Sequence, residues 1–420
     1  MTTRREFLVG CSAAIAAMSA AKLSWASFDD GVVPAGTARD TLVLVFLRGG
    51  IDGLHLLGPA DDKDYVAARP EALRVTEAEG LAIGNGPAKL DFRLHKNAAP
   101  LKELYDAKHL AFIHACGLTN GTRSHFEAMD LIERGVADVA QQRLANGWLS
   151  RFAALEQQRG VYGDAAVPVF AASDSLPTSM LGLPFAASAP ELGRFGLWWG
   201  DGQRKAIEDL YVKGQPMHEQ AERALRVVDA IGSRLPRNGK GDVEAYEAQH
   251  GATYPDDDLS KRLQSVARLM KMDVGLRVAS VDYGGWDTHQ DQTYHFPNRL
   301  NVLARALHAF YTDLSDHHQR LTVLVISEFG RRLKANKSAG TDHGHGGVMM
   351  AMGGNVHGGK VHGVWPGLAS EQLDSRVDLA VTTDYRRVLA EALRVRMGQG
   401  SVDEIFPGFA NEQAVGVFRA

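Results

Sequence analysis

The sequence predicts an α/β fold: a mostly parallel sheet with helices on both faces, carrying a helical insertion. Three observations lead there. Short, continuous, β-branched apolar runs recur along the chain, as strands buried on both faces require. Longer stretches with helical apolar spacing lie between them, so strands and helices alternate. Several runs also end in glycine-rich segments that carry carboxylates and imidazoles, and parallel sheets present their chemistry at strand C-termini.

The candidate strands are 41–47, 109–115, 167–171, 276–282, 321–327 and 347–352, and the candidate helices 98–107, 126–134, 148–158, 299–317 and 385–395. Residues 349–354 followed by 361–364 predict a hairpin at one sheet edge. The segment 203–272 is charged, helix-prone and broken by Leu235-Pro236-Arg237-Asn238-Gly239-Lys240-Gly241, which predicts a helical excursion or lid outside the sheet. The stretch 173–190 predicts a long surface loop near the mouth of a site. Asp256-Asp257-Asp258 ahead of Leu259 marks a helix start.

Ahead of the first strand, Thr3-Arg4-Arg5-Glu6-Phe7-Leu8 precedes a modest apolar stretch that closes on Ser24-Trp25-Ala26. This pattern predicts a twin-arginine signal peptide over 1–26, a mature chain from Ser27, and a periplasmic or secreted bacterial protein that meets the twin-arginine translocase during export. The apolar part is shorter than the roughly 20 residues a membrane span needs. Removing 1–26 takes three of the 46 basic and one of the 50 acidic residues, which moves the formal charge from −4 to −6. A mildly acidic chain without a basic run speaks against nucleic acid as a partner. Of the two cysteines Cys11 leaves with the signal, so Cys116 has no internal disulfide partner and stability must come from a large core. The 27–420 remainder suits one large α/β domain.

The strand ends hold the candidate site. The first runs into Arg48-Gly49-Gly50-Ile51-Asp52-Gly53, where Asp52 is either a metal ligand or a turn residue. The second runs into Thr122-Arg123-Ser124-His125-Phe126-Glu127. Either Ser124 there is the N-cap of the following helix, with Glu127 completing a capping box, or Ser124 or Thr122 is a nucleophile or oxyanion ligand assisted by Arg123 or His125. The 276–282 strand leads into Gly284-Gly285-Trp286-Asp287-Thr288-His289, with Asp287 and His289 as preferred ligands. The 321–327 strand delivers Glu328, and a glycine-rich loop then adds Asp342, His343 and His345. Carboxylates and imidazoles gathered in this way are what a divalent metal site needs.

At these residues the sequence resembles domain-of-unknown-function family 1501, twin-arginine-exported bacterial proteins of the alkaline phosphatase and sulfatase superfamily. The resemblance rests on Leu47-Arg48-Gly49-Gly50-Ile51-Asp52-Gly53-Leu54, Arg123-Ser124-His125-Phe126-Glu127-Ala128, Gly285-Trp286-Asp287-Thr288-His289, Ser327-Glu328-Phe329-Gly330-Arg331 and Asp342-His343-Gly344-His345-Gly346-Gly347. It implies an alkaline-phosphatase-like fold with metal, often zinc, around a nucleophile that opens a helix. By position Asp52, Asp287, His289, Glu328 and His343 or His345 resemble ligands, and Ser124 the nucleophile. Two departures stand out. Glu328-Phe329 stands where the superfamily commonly has Asp-His, and the sulfatase signature Cys-x-Pro-x-Arg is absent, Cys116 being followed by Gly117-Leu118-Thr119-Asn120. The expectation is a metal-dependent hydrolase of a small anionic phosphate, sulfate or related ester, not a formylglycine sulfatase, with the number of metals open. The alternative is a non-catalytic protein that holds a metal or a partner protein on the same fold.

Overall fold

In the computed structural model the described residues are 40–163, 165–194, 201–214, 217–409 and 413–419. The expected signal peptide, 1–26, lies outside them. The chain builds its main sheet from β1 (Thr41–Arg48), β2 (Leu110–Gly117), β3 (Val169–Ala172), β4 (Ala186–Ser188), β5 (Val278–Gly284), β6 (Leu321–Ser327), β7 (Gly347–Gly353), β8 (Val361–His362) and β9 (Thr383–Asp384). The order across the sheet is β8-β2-β7-β6-β1-β5-β3-β4, and β9 also pairs with β2. Pairing is parallel except at β7, which runs antiparallel to both β2 and β6. At the centre, Val45 of β1 stands between Val281 of β5 and Val325 of β6.

Alternation along β1 decides what covers each face. Val43, Val45 and Leu47 join a core with α1 (Ala99–Asp106), α4 (Asp258–Lys271) and α5 (Gln292–Asp313). Leu42, Leu44 and Phe46 point the other way, into a core with α2 (His125–Arg134), α3 (Trp148–Gln158) and α6 (Tyr385–Val395). Successive strand residues face opposite sides, so an unbroken apolar run is what a doubly covered strand demands. Each fully buried Leu, Val or Phe contributes roughly 1.5–3 kcal/mol.

Three expectations change. The 349–354 and 361–364 segments form no hairpin; β7 and β8 pair with opposite edges of β2. The helical excursion is shorter than 203–272, because α4 places Leu259, Leu263 and Val266 in the main core, with Asp257 capping Ser260 N at its start. What remains includes the helices Asp201–Leu210 and His218–Gly232, which share a small cluster of Ile207, Ala221 and Leu225. Finally, α5 begins at Gln292 and runs through Pro297.

Candidate metal centre

The parallel strands deliver their C-terminal residues to one end of the sheet, and glycines let the segments that follow close together. Gly49 has φ +118°, and a Cβ on it would lie 2.6 Å from Asp287 N. A Cβ on Gly330 would lie 2.1 Å from Gly346 O. The guanidinium of Arg331, 1 % exposed, ties these segments into one body. It donates to Gly50 O at 2.6 Å, Thr341 O at 2.9 Å, Trp286 O at 3.1 Å and Asp287 Oδ1 at 2.7 Å, and also to Gly49 O.

Three imidazoles converge on Asp287. Its Oδ1 lies 3.1 Å from His289 Nε2, 3.2 Å from His343 Nε2 and 3.5 Å from His125 Nε2. His289 Nε2 and His343 Nε2 face each other at 2.8 Å, while His125 Nε2 is buried without a hydrogen-bond partner among the described residues. Every one of these rings has its other nitrogen tied to an acceptor. His125 Nδ1 meets Glu328 Oε1 at 2.7 Å, His289 Nδ1 meets Asp342 Oδ1 at 2.9 Å, and His343 Nδ1 meets Arg123 O at 2.8 Å. Carboxylates and a carbonyl accept only, so each Nδ1 carries the hydrogen, and a ring that is neutral turns its lone pair at Nε2 inward. With all three rings neutral, three nitrogen lone pairs and a carboxylate oxygen would repel one another unless a proton or a cation stood among them. Tetrahedral ligands about 2.0–2.1 Å from a zinc ion are about 3.3 Å apart, close to the spacings here. Atoms of His125, Asp287 and His343 all lie within 4.8 Å of one another, close enough to hold one ion.

The electrostatics agree. Burial alone would raise the Asp287 pKa, but the Arg331 guanidinium and the histidines hold it at about 2. Glu328 is buried too, yet its hydrogen bonds from His125 and the Gly49 and Gly50 amides bring its pKa below the ordinary value. The Glu328 hydrogen bond raises His125. Burial lowers His343. Phe329, 3 % exposed, packs its ring 4.8 Å from His125 and 4.9 Å from His343, walling off the inner side. The outer side is open, with the Asp287 and His289 side chains 46 % and 39 % exposed.

The other candidates divide. Glu328 and Asp342 hold histidines. Asp52 lies behind the centre, fully buried, with Arg69 donating to both oxygens at 2.8 and 3.0 Å, Gln292 to Oδ2 at 2.7 Å and His55 N to Oδ1 at 3.1 Å. Its lone pairs are spent. His345 turns away: its Nδ1 meets Asp374 Oδ2 at 2.6 Å, and its Nε2 is buried without a partner among the described residues. The Arg123 guanidinium grips Asp378 instead of facing the centre. Ser124 is the N-cap residue of α2, but its side chain makes no cap hydrogen bond, so the expected capping box does not form. Its exposed side chain sits one residue from His125. The sequence reading gave no role to Arg331, Arg69 or Gln292. A fully buried arginine leaves no mark in a sequence; the one available signal was its place in the Glu-Phe-Gly-Arg run after a strand.

Fold and site together define a mixed, mostly parallel α/β protein with a His and Asp group able to hold a metal. The sequence model of a family described as "Protein of unknown function (DUF1501)" matches residues 195–405, half of the chain, and the protein belongs to that family. No curated protein matches the sequence. Among solved structures the chain is similar to the C-terminal periplasmic domain of EcEptC from Escherichia coli in complex with Zn, at 8 % identity and TM-score 0.35, covering 76 % of this chain and 74 % of that one. It is also similar to the PsFucS1 sulfatase from Pseudoalteromonas sp., at 11 % identity and TM-score 0.39, covering 91 % and 74 %. A phosphonate monoester hydrolase of Agrobacterium radiobacter aligns at 9 % identity and TM-score 0.38, covering 89 % and 78 %. These likenesses are remote, and the fold rests on the sheet itself.

Proposed function

We propose that the protein is an exported metal-dependent hydrolase of a phosphate, sulfate or related ester, with His125, His289, His343 and Asp287 as ligands. One observation carries the reading: three imidazoles have Nδ1 tied to an acceptor and Nε2 within 3.5 Å of one carboxylate oxygen, Asp287 Oδ1. Metal-binding histidines are held in this way, the second nitrogen donating to a carboxylate or carbonyl. The donor set suits zinc, though copper, iron or nickel would also accept imidazoles. Bound there, a divalent ion would neutralise ester oxygens and lower the pKa of a hydroxyl or water.

The remaining work belongs to the chain. Glu328 and Asp342 orient the rings, and Arg331 keeps Asp287 ionised. Ser124 opens a ten-residue helix, where free N–H groups favour an anionic group. Its hydroxyl is the candidate nucleophile: attack on the phosphorus or sulfur would expel the alcohol and leave a seryl ester, which water would then hydrolyse to release the acid and restore the hydroxyl. Arg123 acts through its carbonyl on His343, since its guanidinium is committed to Asp378.

Metal content of protein recovered through its own export route, with turnover on phosphate and sulfate esters, tests this. Asp287→Ala should lose both metal and turnover, and Ser124→Ala only turnover. The alternative, a non-catalytic metal-binding protein, is favoured by the four protein donors, which can close a site as structural zinc sites do. A metal-loaded wild type inert on every ester, with Ser124→Ala indistinguishable from it, would decide for that alternative.

A further inference from the structure

Behind the proposed ligands lies a second layer whose central residue is Gln292, fully buried in the first turn of α5. Its amide makes four hydrogen bonds. Nε2 lies 2.7 Å from Asp52 Oδ2 and 3.1 Å from His55 Nδ1, while Oε1 accepts from Thr341 Oγ1 at 2.7 Å and Thr288 Oγ1 at 3.1 Å. The orientation of the amide is fixed, because the Asp52 carboxylate only accepts and so requires the NH2 group. Asp52 is itself held by both terminal nitrogens of Arg69, which also donates to the carbonyls of Leu333, Leu73 and Arg332.

The two threonines matter because of their neighbours. Thr288 lies between Asp287 and His289, and Thr341 directly precedes Asp342 and His343. One carbonyl oxygen therefore pins both segments that carry the proposed metal centre, and Thr341 N also bonds Thr288 O at 3.2 Å. His289 Nε2 and His343 Nε2, one from each segment, face each other at 2.8 Å.

We propose that Gln292 is a positioning residue of the metal centre: anchored on the Asp52–Arg69 pair, its amide oxygen sets the separation of the two ligand-bearing segments through Thr288 and Thr341. On this view Asp52 serves the centre as a fixed post and not as a ligand. The proposal rests on the metal reading above. Residues that orient ligands from behind typically change metal affinity 10–100-fold when replaced.

Cobalt(II) serves as the probe, since its visible spectrum reports ligand geometry and its binding needs no substrate. The wild type should bind one cobalt. Thr288→Val and Thr341→Val keep shape and remove one hydroxyl each; both should bind cobalt about 10–100-fold more weakly with an altered visible spectrum. Thr288→Ser and Thr341→Ser should restore the wild-type values. Gln292→Met should exceed either valine variant, and if it fails to fold, the threonine pairs still decide. Wild-type affinity and spectrum in both valine variants would overturn the proposal while leaving the metal reading intact. A wild type that takes up no cobalt would overturn the metal reading, and the positioning role with it.

Discussion

If the proposed centre binds a metal, each of its imidazoles must choose between a proton and an ion, so the empty and loaded protein should respond to pH in opposite directions. In the metal-free protein the Glu328 hydrogen bond raises the His125 pKa above its ordinary value near 6.5. A group whose pKa is higher folded than unfolded contributes stability that is complete below the unfolded value. That stability is lost as pH rises through the folded value. The metal-free melting temperature should therefore lose this increment above about pH 6.5, and a His125→Gln variant should lack the slope. Metal uptake should run the other way and strengthen with rising pH, because the ligands must shed their protons. Thermal melts with and without metal across this range check both signs; parallel slopes would contradict the placement of His125. Ser124→Ala should leave the melting temperature unchanged, since its side chain makes no cap bond. A fall matching a lost cap of about 1 kcal/mol would return Ser124 to a structural role. At this scale the sequence shows which carboxylates and imidazoles follow the strands but not how they rank. Glu328 and Asp287 are both carboxylates after a strand, and only side-chain direction makes one hold an imidazole and the other meet three. His125, expected beside Ser124 as a helper, lies close enough to Asp287 and His343 to share an ion with them.

Among the elements, the segment after β1 is the most sensitive to change. Gly49 combines φ +118° with an approach that leaves no room for a Cβ against Asp287 N and the Trp286 backbone. Gly49→Ala should cost roughly 1–3 kcal/mol through displaced backbone and should weaken metal binding, since Asp287 would have to move. Equal metal affinity in that variant would show that the Asp287 segment is not clamped by β1. The six buried strands were legible to within a few residues, because a strand covered on both faces must be an uninterrupted apolar run. The start of α5 was not. Pro297 lies inside the helix, where it costs one backbone hydrogen bond near the N-terminus, and burial of Phe296 and Leu300 in the main core offsets this. The supposed late hairpin failed for a different reason: apolar patterning says that β7 and β8 are strands but not which edge of β2 each takes.

At the level of the whole molecule, the remaining test concerns where it works. Arg4→Lys with Arg5→Lys should leave an uncleaved precursor in the cytoplasm, because the export receptor reads the paired guanidinium groups. Fractionation that finds normal amounts of the double variant outside the cytoplasm would remove the export reading. The fold class and the gathering of polar residues at one end of the sheet were both visible in the sequence. The Asp52–Arg69 pair was not, since nothing in a linear sequence says that two residues 17 apart will neutralise each other in a closed interior.

The reversed strand β7 has one more consequence. A chain that leaves a parallel strand normally has to travel back along the sheet through a crossover of a dozen or more residues before it can enter the next. Because β7 runs against β6, the chain leaves β6 at Ser327 and re-enters at Gly347 from the same end. Glu328, Arg331, Asp342 and His343 therefore all lie on one tethered arch, both of whose feet stand in the centre of the sheet. The crown of that arch, Lys337 to Ala339, is exposed. A break at the crown would leave Arg331 on one foot and His343 on the other, each still rooted in a buried strand. The two sides of the arch also pair with each other, Arg331 with His343 and Ala335 with Thr341, so a nick at the crown should leave them opposed, and the melting temperature of the nicked protein checks this.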